Sequence, residues 1–209
     1  MKLICIGKNY AAHAKEMEQM LKMKSEMPAE PLFFMKPETA VIKNNAPFYI
    51  PDFSNEIHHE VELVVRIKKN GKNIEEKFAH TYYDEIGIGI DFTARDLQSQ
   101  CKEKGWPWEK AKAFDGSAPL GKFVNKNSFS SVNNIAFHLD INGKTVQKGN
   151  SKDLLFSFDT IISYVSRFIT LKKGDFIYTG TPEGVGAVKA GDRLEAYIGT
   201  LKGLDFSVK

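Results

Sequence analysis

The chain of 209 residues has only two cysteines, Cys5 and Cys101, and they form neither a CxxC pair nor a disulfide framework. An extracellular disulfide scaffold is therefore excluded. Both thiols fit a reducing compartment, and each reads as a small buried hydrophobe rather than a metal ligand or nucleophile. No apolar run is long enough to cross a bilayer as a helix, so no membrane partner is expected. The opening MKLICIGKNY carries an apolar stretch too short for a signal-peptide core, and the expected location is cytoplasmic. Charge is nearly balanced, with 29 Lys and Arg against 26 Asp and Glu, a net +3 spread along the chain. That distribution suits a small anionic ligand and offers nothing to nucleic acid, for which no motif is present. Repeats and low-complexity tracts are missing too. The glycine-rich TGTPEGVG lacks the GK[ST] of a P-loop, and it has neither the spacing nor the following helix of a dinucleotide fingerprint.

What is present is enough apolar sequence, 42% of residues, for one substantial core, and residues 1–209 read as a single domain. Lys2 to Ile6 reads as a first strand. Ala14, Met17 and Leu21 then recur at helical spacing, predicting an amphipathic helix from about 10 to 23, closed by Pro28 and Pro31. PLFFMKP, FYIP, IHHEVELVVRI (57–67) and IGIGID (86–91) read as extended. Asn70-Gly71 and Asn142-Gly143 are both hairpin signals. TARD has the Thr-x-x-Asp form of a helix start, with Thr93 as N-cap and a stop at Gly105 and Pro107. Phe158, Ile161, Ile162, Val165 and Ile169 mark a further helix with a core-facing stripe. GDFIY, DRLEAYI and LDFSVK close the chain as strands. Strands outnumber helices without alternating with them, which predicts a β-rich α+β domain, a sandwich or rolled mixed sheet with short peripheral helices.

The polar residues at awkward places in this pattern are Glu60, Glu62 and Asp91. A strand alternates its faces, so Glu60 and Glu62 share one side, roughly 7 Å apart along the backbone, opposite Val61, Leu63, Val65 and Ile67. Glutamate is depleted in strands, and two like charges this close repel. One explanation is a half-exposed strand with a solvated polar face. The other is that both join Asp91, at the end of the next strand, in a hard oxygen site suited to Mg²⁺ or Mn²⁺. Asp91 alone could equally take backbone N–H bonds at the helix start. His58 and His59 stand beside the glutamates, but a zinc site would ask for cysteine or more histidines in register. His13 and Glu16, three apart on the first helix, form either a surface ion pair or a histidine oriented as a general base. Arg95 and Lys112 are two among many cations.

Taken in order, GKNYAAHAKEM, EPLFFMKP, HHEVELVV, GIDFTARDLQ, AKAFDGSAPLG, NGKTVQKGN and TGTPEGVG closely resemble the fumarylacetoacetate hydrolase family over residues 2 to about 207. Within it the chain is most similar to the short acylpyruvase and oxaloacetate decarboxylase branch. The resemblance implies a mixed β-roll or sandwich of the family's C-terminal domain type, a homodimer, and Mg²⁺ or Mn²⁺ held by Glu60, Glu62 and Asp91. It further implies a lid dyad of His13 and Glu16, a catalytic Lys112, and substrate contacts from Arg95, Gln98 and Thr181. Ser151 and Leu154 depart from the family's GNTxxM pattern. The implied chemistry is cleavage of acylpyruvates such as acetylpyruvate or fumarylpyruvate to pyruvate and a carboxylic acid, with oxaloacetate decarboxylation as a companion. In it, water activated by His13 attacks the distal carbonyl, and the cation and Lys112 stabilise the departing enolate. The alternatives are oxaloacetate decarboxylation or 2-oxo-diacid tautomerisation through the same enolate. A binding protein without turnover would have little need for His13, Glu16 and Lys112.

Overall fold

The computed structural model describes residues 1–21 and 27–209, and the side chains of residues 1–18 and 27–209. In chain order the elements are β1 (Leu3–Gly7), α1 (Ala11–Leu21), β2 (Leu32–Lys36), β3 (Val41–Ile42), β4 (Ile57–His59), β5 (Val61–Ile67), α2 (Glu76–Ala79) and β6 (Tyr83–Ile90). There follow β7 (Thr93–Ala94), α3 (Arg95–Lys104), α4 (Glu109–Lys112), β8 (Ala118–Asn125), β9 (Ala136–Ile141) and β10 (Lys144–Asn150). The last are α5 (Phe158–Phe168), β11 (Phe176–Tyr178), β12 (Gly186–Ala187), β13 (Arg193–Ile198) and β14 (Leu201–Ser207). Residues 22 and 23, the expected end of the first helix, lie outside the described residues, as does the Leu21 side chain.

The strands form a seven-stranded mixed sheet in the order β2-β1-β11-β5-β6-β8-β3, a four-stranded sheet β10-β9-β13-β14 and a small sheet β12-β4-β7. Most pairings are antiparallel; β1 with β11 and β3 with β8 are parallel. This is the β-rich α+β fold expected from the sequence. Its main core lies where Val61, Leu63 and Val65 of β5 and Ile86 and Ile88 of β6 meet Phe137, Leu139, Leu194 and Phe206 of the second sheet. The stripe of α5 packs into the same core through Ile161, Ile162 and Val165, and Ser157 caps the helix by accepting a hydrogen bond from Thr160 N–H.

The other face of β5 is covered as well. Val64 joins Leu3, Cys5, Leu120 and Tyr178 in a second, smaller cluster. The half-exposed strand is thus ruled out: β5 is central, and its polar residues needed another explanation than solvent. Cys5 and Cys101 are both buried and free, as their hydrophobic reading required.

Two local expectations are corrected. Asn142-Gly143 does make the tight hairpin between β9 and β10, with both residues at positive φ (52° and 77°). Asn70-Gly71 does not. β5 and β6 pair antiparallel, but the chain between them detours through α2, and Gly71 pairs instead with Leu171 while the Asn70 side chain accepts from Lys173 N–H. Partners distant in sequence took the backbone groups that a local turn would have used. Thr93 is not the cap of α3 either: it pairs with His58 in the small sheet, and Ala94 occupies the cap position. FYIP forms no strand; only Phe48 makes a bridge, to Val208.

Candidate active site

The expected strand 57–67 is broken at Glu60, where the chain passes from β4 in the small sheet to β5 in the large one. The register with β6 then places the third acid. Val61 lies opposite Ile90 and Glu62 opposite Gly89, so Asp91 falls beside Glu60, and its N–H donates to the Glu60 carbonyl at 2.8 Å. Carboxylate oxygens of Glu60, Glu62 and Asp91 all lie within 4.8 Å of one another, with the residues 5%, 2% and 2% exposed. Gly89 makes room in this corner, since a Cβ there would come within 2.5 Å of the Tyr178 ring.

Three buried carboxylates at this separation need cations, and the fold supplies them. Lys112, from the end of α4, places Nζ 2.7 Å from both Glu60 Oε2 and Asp91 Oδ2. Arg95, first residue of α3, donates from NH2 to Glu60 Oε1 at 2.5 Å and from NH1 to Gln98 Oε1 at 2.6 Å. Lys36, which attracted no notice in the sequence, is buried with Nζ 2.8 Å from Asp91 Oδ1, and donates to Phe92 O, Ser117 Oγ and Lys112 O. Asp91 therefore answers to side-chain cations rather than to the N–H groups of a helix start.

The carboxylates are not equivalent. Burial pushes Glu60 up, but Lys112 and then Arg95 outweigh it and hold Glu60 well below the usual range. Glu62 is raised well above its ordinary value, first by burial and then by the charge of Asp91, although it accepts a 2.7 Å hydrogen bond from Gly180 N–H. Burial also lowers Lys112, yet Asp91 and Glu60 keep its ammonium above the usual range. The donor set is all oxygen, buried and acidic, which fits a hard divalent cation and gives a soft metal no thiolate.

The glycine-rich loop after β11 closes one side. Gly180 has φ +106°, and a Cβ there would sit 2.7 Å from the Asn9 Cβ. Asn9 in turn donates to Thr179 O and Phe156 O and accepts from Phe156 N–H, binding the loop to the start of α1. Glu16 ties α1 to the same loop. Its Oε1 accepts from Gly184 N–H at 2.9 Å, and its Oε2 lies 3.1 Å from His13 Nδ1. His13 is buried, so the pair is no surface ion pair. Glu16 is held below its usual value because hydrogen bonds from His13 and Gly184 outweigh its partial burial.

His13, Arg95, Gln98, Lys112 and Thr181 line one cavity of about 580 Å³ with the three carboxylates. Every site residue expected from the sequence reaches it except Glu16, which stands behind His13. Two supporting residues, Lys36 and Gln147, were missed. Besides Lys36, Gln147 of NGKTVQKGN is buried and ties β10 to residues 59–61 and 181–182: it accepts from Val61 N–H and His59 Nδ1 and donates to Thr181 Oγ1 and Pro182 O. His58 braces Arg95, with Nδ1 3.4 Å from Arg95 Nε and Nε2 2.8 Å from Glu56. The alternation of NGKTVQKGN hinted at Gln147; nothing local marked Lys36. The hydroxyl of Ser151, at a departure from the family pattern, donates to Val132 O and accepts from Ile135 N–H.

An active-site corner of buried carboxylates, lysine and arginine on a curled mixed sheet defines an enzyme class, and the comparisons specify it. The family model described as fumarylacetoacetate (FAA) hydrolase C-terminal matches residues 2–209, and the chain belongs to this family. It is 42% identical over 207 residues to the mitochondrial oxaloacetate tautomerase FAHD1 of Mus musculus, covering 99% of this chain and 91% of the relative. It is 39% identical over 198 residues to the mitochondrial oxaloacetate decarboxylase of Dictyostelium discoideum, covering 94% and 88%. Among solved structures, fumarylpyruvate hydrolase from Pseudomonas aeruginosa in complex with Mn²⁺ and pyruvate is similar with a TM-score of 0.90 and 37% identity, over 100% of this chain and 89% of that one.

Proposed function

We propose that this protein is a divalent-metal-dependent oxaloacetate tautomerase, with decarboxylation of oxaloacetate through the same enolate as a companion activity. The observation that carries the proposal is the Glu60–Glu62–Asp91 triad with the Lys112 ammonium seated between two of its members. The names of the relatives support oxaloacetate as substrate, so the order expected from the sequence, hydrolase first and tautomerase or decarboxylase second, is reversed here. Glu60, Glu62 and Asp91 would hold Mg²⁺ or Mn²⁺, and the ion would supply positive charge against the developing enolate.

The chain's own groups do the rest. Lys112 lies beside two of the ligand carboxylates and adds charge, and a proton when needed, at the enolate oxygen. His13 has Nδ1 turned to Glu16, which fixes the tautomer and leaves Nε2 to carry a proton to and from the carbon next to the keto group. Arg95, Gln98 and Thr181 orient the acid. A homodimer, a cytoplasmic location and a single catalytic unit over residues 1–209 belong to the same proposal, the last supported by the span of the family match.

The test follows purified protein with Mg²⁺ on oxaloacetate, reading the ultraviolet signal of the enol and the appearance of pyruvate separately. Loss of enol faster than pyruvate forms is the expected result; inactivity on oxaloacetate would sink the proposal. The acylpyruvate reading keeps one observation in its favour, a buried His13 oriented by a half-buried Glu16 and suited to activating water. Acetylpyruvate is therefore the second substrate. His13→Ala is expected to abolish acetylpyruvate cleavage and to lower tautomerisation about 10²-fold, the usual worth of a positioned acid–base group, while decarboxylation, which needs no proton taken from carbon, falls least. Equal losses in all three reactions would contradict this division.

A further inference from the structure

Lys102 is a charged residue of the cavity with no task in the proposed catalysis. Lys102 lies on α3 at the i+7 position from Arg95 and the i+4 position from Gln98, so the three occupy one helix face, and all three line the cavity. The other cations near the triad are committed: Arg95 to Glu60 and Gln98, Lys112 to Glu60 and Asp91, Lys36 to Asp91. Lys102 has no ion-pair partner among the described residues; its Nζ sits 5.6 Å from the centre of the Trp108 ring.

We propose that Lys102 is the specificity residue for dicarboxylates, pairing with the substrate carboxylate remote from the 2-oxo acid head. Two further observations point the same way. Four acidic side chains (Glu60, Glu62, Asp91 and Glu109) and four basic ones (Lys8, Arg95, Lys102 and Lys112) line the cavity. A divalent cation and the Lys36 ammonium behind Asp91 tip that balance to positive, which a dianion offsets more fully than a monoanion. Seven residues of helix also carry the Lys102 backbone roughly 10 Å along the axis from that of Arg95, so the two long side chains reach the cavity from different places, Lys102 from the Trp106 and Trp108 end. Partial burial, then Arg95, lowers the Lys102 ammonium to about 8, so an anion beside it gains a partner whose charge is poorly compensated in the free protein.

The inference rests on the proposed substrate, and its test separates the two. Equilibrium binding of pyruvate and of difluorooxaloacetate, a diacid that cannot enolise, is measured by calorimetry on the Mn²⁺-loaded protein and on Lys102→Met and Lys102→Arg. In the parent protein the diacid is expected to bind more tightly. Lys102→Met should weaken the diacid about tenfold and leave pyruvate unchanged, the size of one charge-assisted contact, and Lys102→Arg should restore most of the difference. A Lys102→Met variant that keeps the diacid preference, or loses affinity for both ligands alike, overturns the role of Lys102. Failure of the parent protein to bind either ligand removes the 2-oxo acid proposal itself, and this inference with it.

Discussion

Glu60→Gln is expected to abolish both metal-induced stabilisation and turnover. The substitution keeps the volume of the side chain and removes its charge from a place where Lys112 Nζ and Arg95 NH2 stand 2.7 and 2.5 Å from its two oxygens. Breaking one member of a buried ion cluster costs about 3–5 kcal/mol, because the cations left behind have lost the water they gave up on folding. Melting of the metal-free variant should therefore begin well below that of the parent. The more telling measurement is the rise in melting temperature on adding Mn²⁺. Ligand binding stabilises by about 2.7 kcal/mol at a hundredfold excess over Kd, and the parent protein should show an upward shift of several degrees that the variant lacks. Oxaloacetate turnover should fall by more than 10³-fold, since charge stabilisation of this kind is worth about that factor for one donor alone. A variant that still shows the Mn²⁺ shift at unchanged concentration would place the cation elsewhere.

Lys112→Met separates charge from shape at the other half of the cluster. The thioether fills the channel under Phe34, whose ring centre lies 5.2 Å from Nζ, but it leaves Glu60 and Asp91 without the ammonium they share. Glu60 then keeps Arg95 and Asp91 keeps Lys36, and a divalent cation replaces the charge the two had shared. Binding of Mn²⁺ is expected to persist, and to protect the variant from unfolding at least as strongly as it protects the parent. Turnover of oxaloacetate should drop about 10²–10³-fold, with kcat affected more than KM, as for a group whose interaction strengthens when the enolate forms. Loss of metal protection together with activity would make Lys112 a part of the metal support instead of a group acting on substrate.

Both variants probe a corner that the sequence announced in part. Glu60 and Glu62 were conspicuous because strand alternation put two acids on one face of an otherwise apolar strand, and Asp91 because it ended the next one. The hairpin expected at Asn70-Gly71 failed, yet β5 and β6 still paired, because the burial of Val61, Leu63, Ile86 and Ile88 on the same core sets register more strongly than a turn does. His13 and Glu16 were visible as a helical pair, but the burial of His13 and the anchoring of Glu16 were not; the latter depended on Gly184, more than 160 residues away in sequence. Lys36 gave no local signal and Gln147 only the alternation of its strand, since a lysine in PLFFMKP and a glutamine in a hairpin look like surface residues until another sheet covers them.

The sequence by itself determined the class of fold, the shared face of Glu60 and Glu62 and the neighbourhood of His13 and Glu16, because these rest on short-range periodicity, and the family was legible as an order of motifs along the whole chain. Tertiary structure alone decided which cations answer those carboxylates. Lys36 comes from β2, Arg95 from α3 and Lys112 from α4, and no spacing along the chain relates them to Glu60 or Asp91. Their selection follows from the cost of burying unpaired charge: with three acids brought together by sheet register and almost fully buried, ammonium and guanidinium groups delivered to the same corner offset their repulsion and desolvation.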